Sequence, residues 1–272
     1  MRRIVHLSDI HFGRIDLSLV VPLISRVHAL APNLVAVSGD LTQRARRSEF
    51  RAARSFLERL PTPQLVVPGN HDLPLFNLLA RWLFPFWGYS RYVTPNLEPF
   101  YSDEEIAVVG VNTTRRMTRK DGRINLAQVG RIEDRLAGLP EETTKILVSH
   151  HPFDIPPGHA ERDLVGRAEM AMKSLAKCGA DLLLAGHLHL SRTTHSSDRY
   201  KIDGHSALIV QAGTVSQRAR GETNAFNVIE IDRPRIHVAR YEWIPERADF
   251  ARAGTEDFVR KETGWQPLTA SG

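Results

Sequence analysis

The stretch LLLAGHLHL, residues 182–190, places two histidines directly after a run of apolar residues. On a helix, residues two apart point about 200° away from each other, so His187 and His189 would not share a site. At the end of a strand they point to the same side. The run 182–185 is typical of a strand buried on both faces, and Gly186 marks its end. The two histidines are therefore predicted to converge beyond the carboxyl end of this strand, unless they form a hydrogen-bonded pair in the core.

Other apolar runs also stop abruptly at polar or glycine-containing tips. They are RRIVHLSDIH (2–11), NLVAVSGD (33–40), QLVVPGNHD (64–72) and KILVSHHP (145–152). Helical patterns lie between them, for example at residues 17–30 and 48–60, and this alternation predicts an α/β fold with a largely parallel core. Later apolar segments with little helix between them predict a second, more antiparallel sheet; they cover residues 105–113, 207–215, 226–231 and 235–243. We therefore expect a four-layer α/β/β/α sandwich, in which helices flank two mixed sheets.

Composition and charge are those of an ordinary globular protein. Among the 272 residues, 42% are apolar and 25% are charged, which allows a sizeable buried core. No signal-like apolar region follows the first residues, and no apolar run approaches the ~18 residues that cross a bilayer. The single cysteine, Cys178, forms no internal disulfide, so we expect a reducing, cytoplasmic setting. A net charge of +5 suits an anionic substrate or surface.

The predicted strand tips carry residue types that bind metal ions. These residues are Asp9, His11, Asp40, Asn70, His71, Asp72, His150, His151, His187 and His189. Ligands of α/β sheets bind outside the carboxyl ends of the strands, and buried imidazoles and carboxylates are costly unless they share a partner such as a metal ion. Mixed nitrogen and oxygen ligands suit Zn, Fe or Mn. Because one ion cannot use so many ligands, the set favours two divalent ions about 3.5–4 Å apart that a carboxylate bridges.

The ordered motifs DIH (9–11), GD (39–40), GNHD (69–72), HHP (150–152) and GHLH (186–189) resemble those of the calcineurin-like metallophosphoesterases. The resemblance covers residues 4–190, and the stretch that begins GDLT looks like the bacterial cyclic-nucleotide phosphodiesterase branch. The implied ligands are Asp9, His11 and His189 for one ion, Asn70, His150 and His187 for the other, and Asp40 for both. In this family the first histidine of the strand-end motif is the ligand, which implies His150 rather than His151.

The resemblance also implies a reaction. Paired divalent ions lower the pKa of a shared water, so a metal-bridging hydroxide is the expected nucleophile of a phosphoester hydrolase. Asp40 and Asn70 are expected to act in catalysis through the ions they hold, and the neutral Asn70 preserves the positive charge that attracts a phosphoester. His71, unligated beside the phosphorus, is expected to stabilise the developing charge or to protonate the leaving group.

Four further residues are candidates for contact with the substrate or with the metal ligands. Arg14 follows the first motif, and His151 adjoins His150. Asp72 is expected to hold a ligand histidine, with a helix cap as the alternative. His159 lies in a proline-rich loop that could overhang the site.

Residues 73–93 form the most unusual segment outside the motifs, because they are rich in aromatic residues and carry arginine as their only charged type. Pro85 and Gly88 argue against one unbroken helix. A cap that packs on the sandwich is one interpretation, and peripheral contact with a membrane surface or an acyl chain is the other. With the basic stretch that follows it, the segment makes a cap, residues 73–123, within a single domain over residues 1–245. Residues 246–272 are expected to form a charged, loosely packed tail.

The leading functional hypothesis is a phosphodiesterase that acts on small diesters, cyclic nucleotides among them. The alternatives are a pyrophosphatase of a lipid-linked sugar nucleotide of the UDP-diacylglucosamine type, a phosphomonoesterase, and a non-catalytic metal-binding scaffold. A small anionic phosphoester is the expected partner of the enzyme. No stable nucleic-acid partner is expected, since no long basic groove with stacking aromatic residues is evident.

Overall fold

The structure, a computed structural model, describes residues 1–218 and 221–268. In chain order its strands are β1 (Arg2–Leu7), β2 (Leu34–Val37), β3 (Gln64–Val66), β4 (Phe100–Ser102), β5 (Ile106–Val111), β6 (Thr144–Ser149), β7 (Leu182–Ala185), β8 (Arg192–His195), β9 (Leu208–Gln211), β10 (Ala225–Asp232), β11 (Arg235–Ile244), β12 (Asp249–Lys261) and β13 (Gly264–Pro267). The α-helices are α1 (Val20–Ala29), α2 (Arg47–Leu57), α3 (Leu78–Leu83), α4 (Trp87–Tyr92), α5 (Leu126–Leu136), α6 (Ala168–Lys177) and α7 (Ser196–Arg199). Short 3-10 helices cover Leu17–Leu19, Asn70–Asp72, Glu161–Asp163 and Pro245–Arg247.

The described strands form two mixed sheets. The first sheet has the order β13-β12-β11-β10-β1-β2-β3, in which β1, β2 and β3 are parallel and the other neighbours are antiparallel. The second sheet has the order β4-β5-β6-β7-β9-β8, with a parallel centre and an antiparallel strand at each edge. Both sheets therefore present a parallel block, which is where the predicted strand tips lie.

Alternation of side chains along the strands builds the layers. In β7, Leu182 and Leu184 pack between the two sheets, whereas Leu183 packs with side chains of α5 and α6 on the outer face. In β1, Ile4 faces the second sheet and Val5 faces α1 and α2. This period of two places an apolar core between each pair of layers. The arrangement confirms the predicted α/β/β/α sandwich.

The prediction that the later strands form a sheet of their own is wrong. β5 and β9 join β6 and β7 in the second sheet, whereas β10 and β11 lie beside β1 in the first sheet. The physical reason is that hydrophobic periodicity shows which faces of a strand are buried but not which strand it pairs with.

The structure also corrects the expected loose tail. Residues 249–267 form β12 and β13 at the edge of the first sheet, where the Trp265 side chain is buried. The indole Nε1 of Trp265 donates a hydrogen bond to Asp181 Oδ1 at 2.8 Å. The pattern was hidden because much of β12 is exposed, so few of its residues needed to be apolar. Residues 269–272 of the predicted tail lie outside the described residues, and the division into one domain stays a prediction.

The carboxyl ends of β1 and β2 in one sheet and of β6 and β7 in the other meet at one end of the sandwich. After β1, the Asp9 amide donates to the Gly39 carbonyl at 3.1 Å, and after β7, the Gly186 amide donates to the His150 carbonyl at 3.1 Å. The two sheets touch here, since a Cβ on Gly186 would lie 1.8 Å from Ser8 Oγ. A glycine is therefore required for this close approach.

Residues 73–93 contain two short helices, in line with the expectation that they do not form one unbroken helix, although Gly88 lies within the second. α3 ends at Leu83 and α4 begins at Trp87, and Pro85 lies in the break between them. In the described ranges, no helix has both the length and the apolar character that crossing a membrane requires.

Candidate metal centre

Several predicted ligands lie in an unusual backbone conformation just after their strands. The residues with positive φ are Asp9 (53°), His11 (53°), Asp40 (52°), His187 (73°) and His189 (61°). Residues other than glycine seldom adopt this region, at a cost of about 1–3 kcal/mol each, and such strain gathers at functional sites. Because β7 ends at Ala185, strand alternation is not what brings the two histidines of GHLH together. The left-handed backbone conformation of His187 and His189, just after the strand, directs both side chains toward the centre instead.

Asp9, His11 and His189 form the first lobe of the centre. The Nε2 atoms of His11 and His189 are 3.2 Å apart, and His189 Nε2 is 3.2 Å from Asp9 Oδ1. The Nδ1 atoms donate to backbone carbonyls, His11 to Thr42 at 3.3 Å and His189 to Arg218 at 2.9 Å. A neutral imidazole that donates from Nδ1 carries its lone pair on Nε2, so two lone pairs converge here.

The carboxylate of Asp9 leaves one oxygen for a cation. Asp9 Oδ2 accepts hydrogen bonds from Ser8 Oγ at 2.6 Å and from the His187 amide at 2.9 Å. Asp9 Oδ1 is buried and has no hydrogen-bond partner among the described residues. A buried oxygen and two converging lone pairs are an unfavourable set unless a cation joins them. The first lobe therefore fits a metal ion.

Asn70, His150 and His187 form the second lobe. His150 Nε2 lies 3.0 Å from Asn70 Oδ1 and 3.3 Å from His187 Nδ1. The opposite ring nitrogen of His150 donates to the Ser38 carbonyl at 2.8 Å, so Nε2 faces the lobe and offers its lone pair once a metal ion displaces the Nε2 proton. These nitrogen and oxygen donors fit a second ion of the same kind.

His151 lies close to this lobe, but both of its ring nitrogens are used elsewhere. Nδ1 is 2.8 Å from Thr113 Oγ1, and Nε2 donates to the Lys120 carbonyl at 2.6 Å. His150, His151 and His187 are near enough to one another to hold an ion together. The hydrogen bonds of His151 support the choice of His150 as the ligand.

Asp40 stands between the two lobes. Its Oδ2 atom is 3.7 Å from His11 Nε2 and 3.4 Å from His150 Nε2, while Oδ1 accepts a hydrogen bond from the His71 amide at 2.8 Å. Asp40 approaches Gly69 so closely that a Cβ there would lie 2.2 Å from Asp40 Oδ1. One oxygen thus faces both lobes, which is the geometry of a bridging ligand.

The centre keeps its carboxylates ionised. Burial alone would raise their pKa values, but the nearby histidines outweigh it and hold both below the usual range, with His189 acting on Asp9 and His150 on Asp40. Burial lowers the pKa of the His150 imidazole, yet the attraction of Asp40 outweighs it and raises that pKa to about 9. Burial lowers the pKa of His187 to about 3. Two buried negative charges among imidazoles make a site for cations.

His71 lies beside the lobes rather than in them. Its Nδ1 donates to the Gln43 carbonyl at 2.7 Å, so in the neutral ring Nε2 is an acceptor. Arg218 Nη1 is 3.1 Å from this Nε2 and 3.5 Å from His11 Nε2. His71 and Arg218 thus present a charged donor to the open side of the centre.

Arg218 is a residue that the sequence did not identify. It follows β9 in a segment that is tied to the first motif, since Thr214 Oγ1 donates to the Asp9 carbonyl at 2.6 Å and is 2.7 Å from Ser216 Oγ. The Arg218 amide donates to Ser216 Oγ at 3.2 Å. No local motif marks this loop, and it reaches the centre because β9 pairs with β7 and Thr214 bonds to the Asp9 backbone.

Of the remaining candidates, Asp72 fits the helix-cap alternative rather than contact with a ligand histidine. It accepts hydrogen bonds from the Gly69 amide, at the start of the 3-10 helix Asn70–Asp72, and from the Thr42 amide, both at 2.9 Å, so it holds the backbone around Asp40. Among the described residues, the side chains of Arg14, which is exposed, and His159, which is half-buried, form no hydrogen bond or ion pair with the centre. Contacts of these two with a substrate stay predictions.

The chain is similar in sequence to curated phosphodiesterases. A probable cyclic nucleotide phosphodiesterase from Synechococcus is 27% identical over 164 residues, which are 58% of either chain. A glycerophosphodiester phosphodiesterase from Enterobacter lignolyticus is 28% identical over 172 residues, 59% of this chain and 60% of that one. The chain thus aligns with less than two thirds of the length of these relatives.

Solved structures show the same fold. A dimetal phosphatase from Danio rerio superposes with a TM-score of 0.64 at 13% identity, covering 92% of this chain and 98% of that one. A purple acid phosphatase from yellow lupin seeds superposes with a TM-score of 0.65 at 13% identity, covering 94% and 53%. Residues 2–191 match the family model described as calcineurin-like phosphoesterase. The five ordered motifs, the two-sheet sandwich and this match together show that the chain belongs to the calcineurin-like phosphoesterase family.

Proposed function

We propose that this protein is a metal-dependent phosphodiesterase that hydrolyses small phosphodiesters. The observation that carries the proposal is the position of Asp40 Oδ2, which is 3.7 Å from a histidine nitrogen of one lobe and 3.4 Å from one of the other. Two cation sites that share a carboxylate are the arrangement of two-metal phosphoester hydrolysis. The names of the two curated relatives, both phosphodiesterases, support a diester over a monoester.

Seven residues would hold the two metal ions. Asp9, His11 and His189 would hold one ion, Asn70, His150 and His187 the other, and Asp40 both. When bound, a pair of Mn, Fe or Zn ions lowers the pKa of a shared water and polarises the phosphoryl oxygens. The backbone carbonyls that accept from the ring Nδ1 atoms fix the orientation of the histidines.

Arg218 and His71 would act on the phosphoryl group as a unit. An arginine side chain is always a donor, so the 3.1 Å contact makes neutral His71 the acceptor. The guanidinium of Arg218 is then the charged group that stabilises the negative charge developing on the phosphoryl oxygens. His71 positions that guanidinium, and it protonates the leaving group only after Nε2 has itself gained a proton.

The proposal predicts a strong preference for a diester. With manganese-loaded protein, we expect bis(p-nitrophenyl) phosphate to be hydrolysed at least about tenfold faster than p-nitrophenyl phosphate, a difference of ~1.4 kcal/mol in barrier. The measurement is kcat/KM for both esters with the same preparation, and metal content is determined alongside. A higher value for the monoester would make this protein a phosphatase, and two bound metals without turnover of either ester would favour the scaffold.

A second candidate function rests on a cavity beside the centre. The cavity of about 350 Å³ is lined by Ala45, Arg47, Phe50, Asp72, Pro74, Ala80, Phe84, Trp87 and Gly88. Its apolar lining adjoins Asp72, which holds the backbone around Asp40. An acyl chain in this cavity would suit a pyrophosphatase of a lipid-linked sugar nucleotide, with residues 73–93 in contact with the acyl chain.

The cavity gives that candidate its own test. Filling it by Ala80→Leu should reduce turnover of a diacylated nucleoside diphosphate sugar in detergent by roughly tenfold or more, because the acyl chain loses its apolar site. Turnover of the small chromogenic diester is the control and should not change. Equal effects on both substrates, or none on either, would remove the lipid-linked candidate.

A cytoplasmic location stays a prediction from the sequence.

A further inference from the structure

An apolar surface of unusual size lies on the segment that follows the GNHD motif. We call it the aromatic plate, and its exposed side chains are Phe76, Leu78, Leu79, Trp82, Leu83, Phe84 and Trp87. Phe76 is 70% exposed, Leu79 68% and Trp82 53%, so these are not edges of buried side chains. Contiguous exposed apolar patches on globular proteins mark interaction sites.

The orientation of α3 is fixed by an inward-facing charge. Arg81 is only 4% exposed, and its guanidinium donates to the carbonyls of Arg116 at 2.8 Å, Pro74 at 3.1 Å and Arg115 at 3.3 Å. It also donates to the Thr118 carbonyl. This helix is the inverse of an ordinary surface helix, because its cation is buried and its leucines and tryptophan face outward. The apolar side chains are therefore held on the outside.

Arginines lie over the rings of the plate. Arg44 Cζ is 5.3 Å from the centre of the Phe76 ring, Arg47 Cζ is 5.4 Å from that of Trp87, and Arg116 Cζ is 5.6 Å from that of Trp82. These three arginines are exposed. Residues 73–93 contain no aspartate or glutamate, and the adjoining residues 113–123 contain five basic residues and one acidic residue. The surface thus combines apolar side chains with positive charge.

We propose that the aromatic plate docks on the surface of an anionic lipid bilayer. Its aromatic and leucine side chains would enter the interface, while Arg44, Arg47 and Arg116 would contact the anionic headgroups. A second copy of this chain is a poorer occupant, because two plates face to face would bring arginines of like charge together. The proposal goes beyond the catalytic activity and does not depend on it.

Vesicle binding tests the proposal directly. The full chain is sedimented with vesicles of phosphatidylcholine alone and with vesicles that also contain phosphatidylglycerol. We expect binding to the anionic vesicles only, weakened by salt, with a shift of tryptophan emission to shorter wavelength as Trp82 and Trp87 leave water. Failure of the unaltered protein to bind anionic vesicles, or equal binding to both kinds, overturns the proposal.

Matched variants separate the apolar and the charged contributions. Leu79→Ser with Trp82→Ser should lower the bound fraction roughly tenfold or more. Leu17→Ser with Leu126→Ser changes two side chains that are just as exposed but lie outside the plate, and should bind as the unaltered protein does. Arg44→Gln with Arg116→Gln should reduce binding and its dependence on salt.

Turnover of the small chromogenic diester shows whether each variant is folded. A variant that keeps this turnover but does not bind vesicles has therefore lost binding through its surface and not through unfolding. If the plate variant binds vesicles as well as its control does, the plate is not the docking surface. If the unaltered protein self-associates and the plate variant is instead a monomer, the plate is an interface between copies and the proposal is wrong. A protein without any esterase activity that still binds anionic vesicles through the plate would refute the proposed function and leave this inference intact.

Discussion

Replacing Asp40 by alanine should remove both metal ions and nearly all turnover. Asp40 Oδ2 is 3.7 Å from His11 Nε2 in one lobe and 3.4 Å from His150 Nε2 in the other. Without it the two ions would lose their shared ligand and the negative charge that holds them together. We expect kcat/KM for the chromogenic diester to fall by more than roughly 10³-fold, beyond the cost of removing one charge-stabilising donor. Metal content per chain, measured by plasma mass spectrometry, should fall from two ions toward zero.

A buried carboxylate outside the centre provides the control. Asp154 lies 3.1 Å from Arg199 and 3.3 Å from Arg192, and it accepts a hydrogen bond from Thr194. Asp154→Asn should therefore lower the melting temperature without loss of metal, because it weakens ion pairs in which no predicted ligand takes part. If Asp40→Ala kept two ions and near-normal turnover, the assignment of Asp40 as the bridge would be wrong.

The signals from which the sequence predicts the metal centre are local. Each tip joins an apolar run to a glycine or polar residue within a few positions, as at Gly39 and Asp40, and the carboxyl ends of parallel strands meet at one end of a sandwich. The choice between His150 and His151 is not local. It depends on which ring finds other partners, and those partners, Thr113 and Lys120, lie more than thirty residues away in the chain.

The sequence did not predict β12 and β13, because these strands depend on contacts between residues far apart in the chain. The strands of the expected tail are recognised only once Trp265 is seen to donate to Asp181, 84 residues away. The left-handed backbone of His187 and His189 was also missed, since glycine or asparagine is the usual signal for positive φ. The positive φ of these histidines is a feature of the site that is seen only in the structure.

Arg218 is the clearest case of this limit. It lies beyond the last motif, and the match to the family model ends at residue 191. Its guanidinium nevertheless reaches His71, which belongs to a motif 147 residues earlier. The loop from Thr214 to Ser216 holds it there, since Thr214 Oγ1 donates to the Asp9 carbonyl and lies 2.7 Å from Ser216 Oγ. An arginine in a loop without a motif gives no sequence signal for such a contact.

Single replacements of His71 and Arg218 should each lower kcat without loss of metal. Neither side chain belongs to a lobe, and the carbonyl of residue 218 that orients His189 is main chain, so Arg218→Ala keeps it. We expect His71→Ala and Arg218→Ala each to reduce kcat by roughly 10²–10³-fold, the usual cost of a lost charge-stabilising donor. Arg51→Ala is the control, because it removes an exposed arginine of α2 that belongs to neither lobe. It should leave kcat unchanged.

The double variant decides whether the two residues act as a unit. If His71 serves by positioning the Arg218 guanidinium, the second replacement removes little that the first has not already removed. Since residues that act together are strongly non-additive, His71→Ala with Arg218→Ala should then be no more than about tenfold slower than either single variant. If the two losses multiplied instead, His71 would act on the substrate independently, as the general acid that the sequence suggested. Loss of bound metal in His71→Ala would contradict both roles, because it would make His71 a ligand.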